Sequence, residues 1–523
     1  MRLSLLQQLP SELLNHLLSC LPLDSLLALS STSRSFHELI TSTALPRLAR
    51  TTYGYSPRTI KHLGFHRNTS WVRRTLWARQ VAKRWDNWDA RGFIVGGPGR
   101  EFKKCLPTMR MWEVERGVEV ILVGKGRDLE MWLTRSDGGV DVVPVLIAPG
   151  RQLRKSGNIG GLEDVTSLAR GTRPGEILVS RVSGRLQRLR VVQHPSRGSP
   201  LVLEETAQYS AETGAGRTGG GGLSGSTSIQ AMHSEGPLLV AASTSRTPPS
   251  SRPATPAPAA KSTVSLAHTL KDLSSSSSHA VSLYSIAAPW QPPIVLPFMT
   301  RPWSVHVAPS KRWLAVGHSG TSPLSLIHLD STGSPILPST SLAHTPRSTA
   351  VYAVTTPPVD SCGFLSPEQT LLAAFYDSTT RIYDLRVPPP PSQVVSAWDQ
   401  PRFERPSNEI MRLADPWSDD PAFSLAVGGT AGSYVAVGTA RNAAIRLFDV
   451  RQAASGGITA FAPGRDRSPV YGLEMEGSRL WGVSEKRGFW LDFDAFLGKD
   501  DGERVPFVGH VKGEGGALRW MGE

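Results

Sequence analysis

The N-terminal sequence LPSELLNHLLSCLPLDSLLALSSTSRSF, from Leu9 to Phe36, is the most informative part of the chain. It is too rich in leucine for a solvated surface, and Pro22 and Asp24 interrupt it too early for one long helix. Its first leucines recur at the spacing of one helical face, and Pro22 ends that helix. Two more short helices are predicted after it. Helices of this size bury little apolar area, so we expect the exposed leucines to need a partner.

A second helix-forming segment, TSWVRRTLWARQVAKRWDNW, covers residues 69–88. Its aromatic and aliphatic residues recur on one face, and its basic residues lie on the other. The pairs Arg73-Arg74 and Lys83-Arg84 also fit a bipartite nuclear signal. A helical connector with a solvated basic face explains them more simply.

Beyond about residue 91 the chain is a succession of short apolar strands separated by Gly, Pro, Ser and Asp. Pairs of strands repeat, and the second strand of each pair ends near 133, 192, 286, 329, 385, 450 and 492. The closest of these ends are separated by the length of one propeller blade, about 40–45 residues. The repeat predicts an all-β propeller with seven blades, and six or eight blades are the alternatives.

Three low-complexity segments interrupt this repeat, at about 209–228, 244–278 and 331–347. We expect disordered, flexible loops there, because such segments cannot bury enough apolar surface to fold. The first contains a G-x-G-x-x-G pattern at 214–219, but glycines and serines follow it where a dinucleotide site needs a helix.

The composition limits the classes of function. The 523 residues carry a net charge of +13. The arginines are scattered, which favours a solvated surface, and a nucleic-acid-binding propeller stays as an alternative. Cys20, Cys105 and Cys362 lie far apart, so neither a disulfide framework nor a zinc site is expected. No apolar run reaches the roughly 18 residues of a membrane span, and we expect a soluble protein in the cytoplasm, the nucleus or both.

The N-terminal segment resembles an F-box, and its residues follow the order of that family. They begin with Leu9-Pro10 and Glu12, continue with leucine pairs on both sides of Asp24, and end with Ser33 and Phe36.

The C-terminal region resembles a WD-repeat propeller. The signatures Tyr383-Asp384-Leu385-Arg386 and Phe448-Asp449-Val450-Arg451 are close to the Trp-Asp blade ending of that family. We therefore expect a multidomain α+β chain similar to F-box/WD proteins. Its parts are an F-box at 3–48, a helical connector at 49–90 and a WD-repeat-like propeller at 91–523.

The resemblance implies the substrate-recognition subunit of a cullin–RING (SCF-type) E3 ubiquitin ligase. In such a complex the F-box docks on a Skp-type adaptor, which is joined to cullin and RING subunits. The propeller holds a substrate protein, phosphorylated or not, for ubiquitin transfer and proteasomal degradation. Such a receptor is non-catalytic, and neither a cofactor nor a metal is expected. A propeller scaffold outside ligases is a further alternative.

The resemblance also suggests which residues make contacts. Leu13, Leu29, Phe36 and Leu39 are expected inside the helical module. The expected adaptor contacts are Leu9, Pro10, Leu14, Leu17, Leu18, Leu21 and Leu26. Related receptors clamp phosphorylated peptides with arginines, and arginines in or beside the predicted blade turns are the expected substrate contacts. These are Arg127, Arg381, Arg441 and Arg487, for which a solvated turn is the competing interpretation.

Overall fold

The structure is a computed structural model of the chain. It describes residues 9–53, 70–87, 89–95, 102, 105–115, 118–134, 140–147, 163–193, 200–209, 227–245, 279–358, 366–387, 408–415, 418–429, 432–464, 467–493, 503–504, 507–508, 510–512 and 518–520. The predicted insertions at 209–228 and 244–278 lie outside the described residues except at their ends, as does the G-x-G-x-x-G pattern.

Short helices form the N-terminal part of the described chain, as predicted. They are α1 (Ser11–Ser19), α2 (Leu23–Ser30), α3 (Arg34–Leu39), a π-helical turn (Ile40–Ala44), α4 (Leu45–Thr51) and α5 (Trp71–Asp86). The hydroxyl of Ser33 accepts a hydrogen bond from the Phe36 amide and begins α3. Ser70 begins α5 in the same way, through the Arg73 amide. Both are preferred N-cap residues, because their oxygens satisfy amides that have no partner inside the helix.

The chain enters the propeller through β1 (Arg91–Ile94), and the strands up to β28 form antiparallel blades of four strands. We name the strands of each blade a to d, from the centre outwards. Blade 1 is β2 (Thr108–Glu115), β3 (Val118–Lys125), β4 (Asp128–Thr134) and β5 (Val140–Ile147). Blade 2 is β6 (Val165–Arg170), β7 (Glu176–Arg181), β8 (Leu186–Gln193) and β9 (Leu201–Tyr209). Blade 3 is β10 (Thr227–Glu235), β11 (Leu238–Ser245), β12 (His279–Ser285) and β13 (Ile294–Phe298).

The later blades are more regular. Blade 4 is β14 (Pro302–Val307), β15 (Trp313–Gly320), β16 (Leu324–Leu329) and β17 (Pro335–Ala343). Blade 5 is β18 (Thr349–Thr355), β19 (Thr370–Phe375), β20 (Thr380–Asp384) and β21 (Glu409–Leu413). Blade 6 is β22 (Ala422–Gly428), β23 (Tyr434–Thr439), β24 (Ala444–Asp449) and β25 (Ile458–Phe461). Blade 7 is β26 (Val470–Glu476), β27 (Arg479–Ser484), β28 (Gly488–Asp492) and β1.

The seven blades close into a ring. The a strand of each blade contacts the a strand of the next, and β26 of blade 7 contacts β2 of blade 1. The last blade is completed by β1, which pairs antiparallel with β28 from Arg91–Asp492 to Ile94–Phe489. The predicted propeller of seven blades is confirmed, and each predicted strand end falls at the end of a c strand.

Short strands follow the last blade. β29 (Glu503–Arg504) pairs with β1, and β30 (Phe507–Val508) pairs with β25. β31 (His510–Lys512) pairs with β32 (Leu518–Trp520). Within the described part of the chain, no helix is long and apolar enough to cross a bilayer.

The prediction of a flexible insertion at 331–347 is wrong for most of that segment. Residues Pro335–Ala343 form β17, the d strand of blade 4, which pairs antiparallel with β16. Pro335 and Pro338 lack an amide hydrogen, but an outer strand tolerates this because only one of its edges must pair.

The antiparallel order of the strands gives the ring two distinct faces. The a–b and c–d turns lie on one face, which we call the connector face. The b–c turns and the d–a connections between blades lie on the other, which we call the far face. Any residue near the end of a strand can therefore be assigned to a face from its position in the blade.

Polar side chains from several a strands meet inside the ring. The rings of His233 and His306 lie 4.3 Å apart between their centroids. Arg110 Nη2 is 3.4 Å from His233 Nε2, and Arg110 Nη1 is 3.4 Å from the Glu474 carboxylate. Burial lowers the pKa of both imidazoles, and burial together with the charge of Arg110 brings that of His306 to about 3. The two histidines are neutral in the folded protein.

Candidate functional site

The exposed apolar face of α1 is the first candidate site. Leu13 and Leu17 stand one turn apart on this face, with 55% and 46% of their surface exposed. Leu14 and Leu18 follow them by one position, which turns their side chains about 100° away, and they pack in the helical core. Exposed leucines at i and i+4 form an apolar stripe that a partner can cover.

Burial changes the predicted set of adaptor contacts. Leu18 and Leu26 are only 2% and 0% exposed, so they offer no surface to a partner, and their assignment as contacts does not fit the structure. Leu13, which the sequence analysis assigns to the interior, lies outside. The leucines of α1 form two adjacent rows along the helix, Leu13 with Leu17 and Leu14 with Leu18. Periodicity alone does not say which row packs against the other helices.

The other predicted positions lie around this stripe. Pro10 is exposed at the start of α1, and Leu9, Leu14 and Leu21 are partly buried. Phe36 is buried as expected. The core of the helical module consists of Leu18, Leu23, Leu26, Phe36, Ile40, Ala44 and Leu45.

Helix α5 connects the helical module to the propeller. At its start, Trp71 and Val72 pack against the core of the module. Further along, Trp77, Val81 and Trp85 share one apolar core with blades 6 and 7. One helix is therefore part of two cores, which fixes the position of the module relative to the ring.

Trp85 forms the main apolar contact of this junction. Its ring stacks on Phe493 with centroids 3.6 Å apart and on Tyr434 at 4.9 Å. Tyr434 begins a b strand and Phe493 follows a c strand, so both lie on the connector face. The helical module is attached on that side of the propeller.

A polar cluster surrounds the stacked rings. The Asp86 carboxylate accepts hydrogen bonds from the Tyr434 hydroxyl and from Arg451 Nη2, the latter at 2.7 Å. Arg451 also donates to Asp449, which is the largest cause of its raised pKa. Burial, and then the hydrogen bond to Asp86, raise the pKa of Tyr434. Arg451 follows the Phe448-Asp449 signature, so this blade ending holds the connector.

The four predicted substrate arginines all lie at b–c turns or beside them, on the far face, but they differ in exposure. Arg127 and Arg441 are exposed, and Arg441 lies 3.4 Å from Asp420. Arg487 is partly buried beside Gly464. Arg381 is only 4% exposed, pairs with Asp377 and lies over the Phe375 ring. Arg381 is therefore a structural residue of blade 5, and the substrate role predicted for it does not fit.

A row of aromatic side chains on the far face was not expected from the sequence. In the a strands of blades 4 to 7, one aromatic residue near the start has no partner in the ladder, since a β-bulge skips it. A bulge turns such a side chain out of the regular pattern. We call these residues the aromatic arc: Trp303, Tyr352, Phe423 and Tyr471. A repeated small–aromatic–small pattern, as in Ala422-Phe423-Ser424, is the signal that locates them.

The rings of the arc contact one another from blade to blade. The centroids of Trp303 and Tyr352 are 4.9 Å apart, those of Tyr352 and Phe423 4.7 Å, and those of Phe423 and Tyr471 6.1 Å. Tyr376, in the b–c turn of blade 5, contacts Tyr352 and is 50% exposed. Because the a strands surround the centre of the ring, the arc follows the inner rim of the far face over four adjacent blades.

Among the residues that the structure describes, no group of His, Cys, Asp and Glu could hold a metal ion. What the two sites offer is apolar, aromatic and charged surface, which is suited to binding other proteins.

The chain is similar to a known protein family and to solved structures. Residues 6–48 match the F-box domain family. No curated protein matches the chain. The crystal structure of the Cps50 (Swd1) β-propeller domain from Myceliophteria thermophila is similar at 13% identity and a TM-score of 0.44, over 76% of this chain and 99% of that one. The chain therefore joins an F-box domain to a closed ring of seven β-blades.

Proposed function

We propose that this protein is the substrate receptor of an SCF-type cullin–RING ubiquitin ligase. Its F-box binds a Skp-type adaptor through the apolar stripe of α1, and its propeller binds the substrate protein. The receptor performs no covalent step. It raises the effective concentration of the substrate near a ubiquitin-charged enzyme. Such a role goes with a cytoplasmic or nuclear location.

The observation that carries this proposal is the relative position of the two surfaces. The F-box is held on the connector face by a helix that is part of both cores. The aromatic arc lies on the opposite face of the same ring. A receptor needs this separation, because the adaptor and the substrate must bind together without competing for one surface.

The adaptor contact is tested with full-length protein carrying Leu13→Asp and Leu17→Asp. Burying a leucine is worth about 1.5–3 kcal/mol, so loss of both should weaken binding to a purified Skp-type adaptor roughly a hundredfold or more. Calorimetric titration measures this, and the thermal unfolding midpoint should not change, since neither side chain is in a core.

The matched control is Leu76→Asp, another leucine on the surface of a helix, 40% exposed. We expect adaptor binding equal to that of the unmodified protein. The proposal fails if the unmodified protein does not bind the adaptor while an established F-box protein does. The assignment of the stripe fails if the double variant binds normally.

A further inference from the structure

We infer that the aromatic arc is a peptide-binding site for an acidic segment with one large apolar or aromatic residue at its centre. This inference deepens the proposed function and rests on it, since it describes the class of substrate that the receptor would recognise.

The apolar part of the site is large and accessible. Each ring of the arc is partly exposed, and Tyr376 extends the surface outwards along blade 5. Tryptophan, tyrosine and arginine are the residues that contribute most to binding energy at interfaces. Their rings offer a large contact area at a low cost in side-chain entropy. A central apolar or aromatic residue of a bound segment would lie on these rings.

Three arginines lie beside the aromatic arc. Arg301, Arg347 and Arg467 lie in the d–a connections that lead to Trp303, Tyr352 and Tyr471. Among the residues that the structure describes, none of these three arginines forms an ion pair with a carboxylate. The Arg301 guanidinium stacks 3.8 Å from the centre of the Trp303 ring and donates to the Gln230 side chain. Arg347 and Arg467 are exposed.

Most carboxylates of the same region lie beside arginines. Asp377 pairs with Arg381, Asp420 and the exposed Asp419 lie 3.4 and 4.0 Å from Arg441, and Asp415 lies 3.8 Å from Arg446. Glu485 is followed directly by Lys486 and Arg487. The charge left for a ligand around the arc is therefore positive, and the complementary flanks of a peptide are acidic.

Polar groups at the arc can fix the backbone of such a peptide. The hydroxyls of Tyr352 and Tyr471 have no hydrogen-bond partner within the described ranges. Burial raises the pKa of both, so they stay protonated donors at neutral pH. These donors suit the carbonyls or carboxylates of an extended segment.

The test measures, by fluorescence anisotropy, the binding of short, labelled Gly/Ser-based peptides to the full-length protein. The probe contains Glu-Glu-Trp-Glu-Glu. Comparison peptides replace Trp with Ala, Glu with Lys, or Trp with phosphoserine. We expect the probe to bind with at least tenfold higher affinity than each comparison peptide. Stronger binding of the phosphoserine peptide, or of the Lys peptide, would overturn the inference, as would binding of none.

Substitutions in and beside the aromatic arc test whether the probe binds there. Arg347→Glu and Arg467→Glu should each weaken binding of the probe several-fold and make its affinity less dependent on salt. Phe423→Ala should weaken binding of the probe about tenfold or more. Arg312→Glu, an exposed arginine on the connector face, is the matched control and should bind the probe normally. The charge variants keep the test valid if Phe423→Ala proves unstable. Unchanged binding in the charge variants overturns the assignment.

Adaptor binding by the same samples separates the two proposals. If the adaptor binds and the probe does not, only the inference about the arc fails. If the probe binds and the adaptor does not, the arc is a peptide site on a protein that is not a ligase receptor.

Discussion

At the scale of single residues, the first helix shows how one position along a helix separates a binding role from a structural one. Leu17 is largely exposed, whereas the next residue, Leu18, is buried. The sequence predicted that this helix is apolar enough to need a partner. It did not predict which leucines face the partner, because that depends on where α2, α3 and the π-helical turn cover α1.

Leu26→Ala tests the structural side of this division. Leu26 is fully buried in the small helical core, so its truncation should cost about 2–5 kcal/mol of unfolding free energy. The module is small, so adaptor binding should be lost with the fold. Circular dichroism at the helical signal, followed against temperature, checks this. A variant that keeps its stability and still loses adaptor binding would return Leu26 to the set of direct contacts.

At the scale of elements, α5 is the part that joins the F-box to the propeller, because it packs in both cores. The sequence predicted this helix from its separate apolar and basic faces. Ser70 is its N-cap, and serine is a residue type favoured at that position. The identity of its partner could not be predicted, because Tyr434, Phe493 and Arg451 lie hundreds of residues away along the chain. Their roles follow from ring closure, which brings blades 6 and 7 beside β1.

Trp85→Ala should uncouple the F-box from the propeller. The substitution removes the stacking on Phe493 and Tyr434 and leaves a cavity, at a cost of about 3–5 kcal/mol. We expect the backbone amides of α5 to exchange with solvent faster while each domain stays folded. Hydrogen exchange resolved by peptide measures this, with Leu76→Ala as the control. Equal protection of α5 in both variants would show that the helix is held by other contacts.

β1 gives a second prediction at this scale, for chains that lack the F-box. A chain that begins at residue 89 lacks α5 but keeps β1, whereas one that begins at residue 96 also loses the d strand of blade 7. The second chain should unfold at a lower temperature, because β28 then has an unpaired edge and the ring is open. Calorimetry compares the two. Equal midpoints would mean that β1 does not close the ring.

At the scale of the whole molecule, the ring was predictable and the substrate site was not. Strand pairs that recur at blade spacing predicted the blades and their c strands, because each blade repeats one local pattern. The far-face site depends on side chains from separate blades that meet only after closure. The arginines singled out from turns were therefore an incomplete guide: Arg381 proved structural, and the aromatic arc was missed.

The buried histidines make the stability of the ring depend on pH. His306 is neutral in the folded state because its pKa falls to about 3, whereas in the unfolded chain it takes up a proton near pH 6.5. The unfolded state therefore binds more protons between about pH 6.5 and 3, and unfolding free energy falls as the pH is lowered through that window. At pH 5 the loss is about 2 kcal/mol for this residue.

His306→Gln should remove that part of the pH dependence. The imidazole packs beside Trp313, and its Nε2 lies 3.2 Å from the Thr356 hydroxyl, which an amide can also reach. Denaturant unfolding measures the unfolding free energy at pH 7 and at pH 5. The difference between the two values should be smaller by about 2 kcal/mol in the variant. His328→Gln, at an exposed position in the same blade, should keep the full difference. The same change in unfolding free energy between pH 7 and pH 5 in all three proteins would contradict a neutral His306.

The central claim is that the F-box brings the propeller into a cullin–RING ligase. The most direct measurement is affinity purification of the full-length protein beside its Leu13→Asp, Leu17→Asp variant, with quantification of the adaptor, cullin and RING subunits by mass spectrometry. The account predicts all three with the unmodified protein and none with the variant, while partners of the far face are recovered with both. Recovery of the adaptor without a cullin would contradict it.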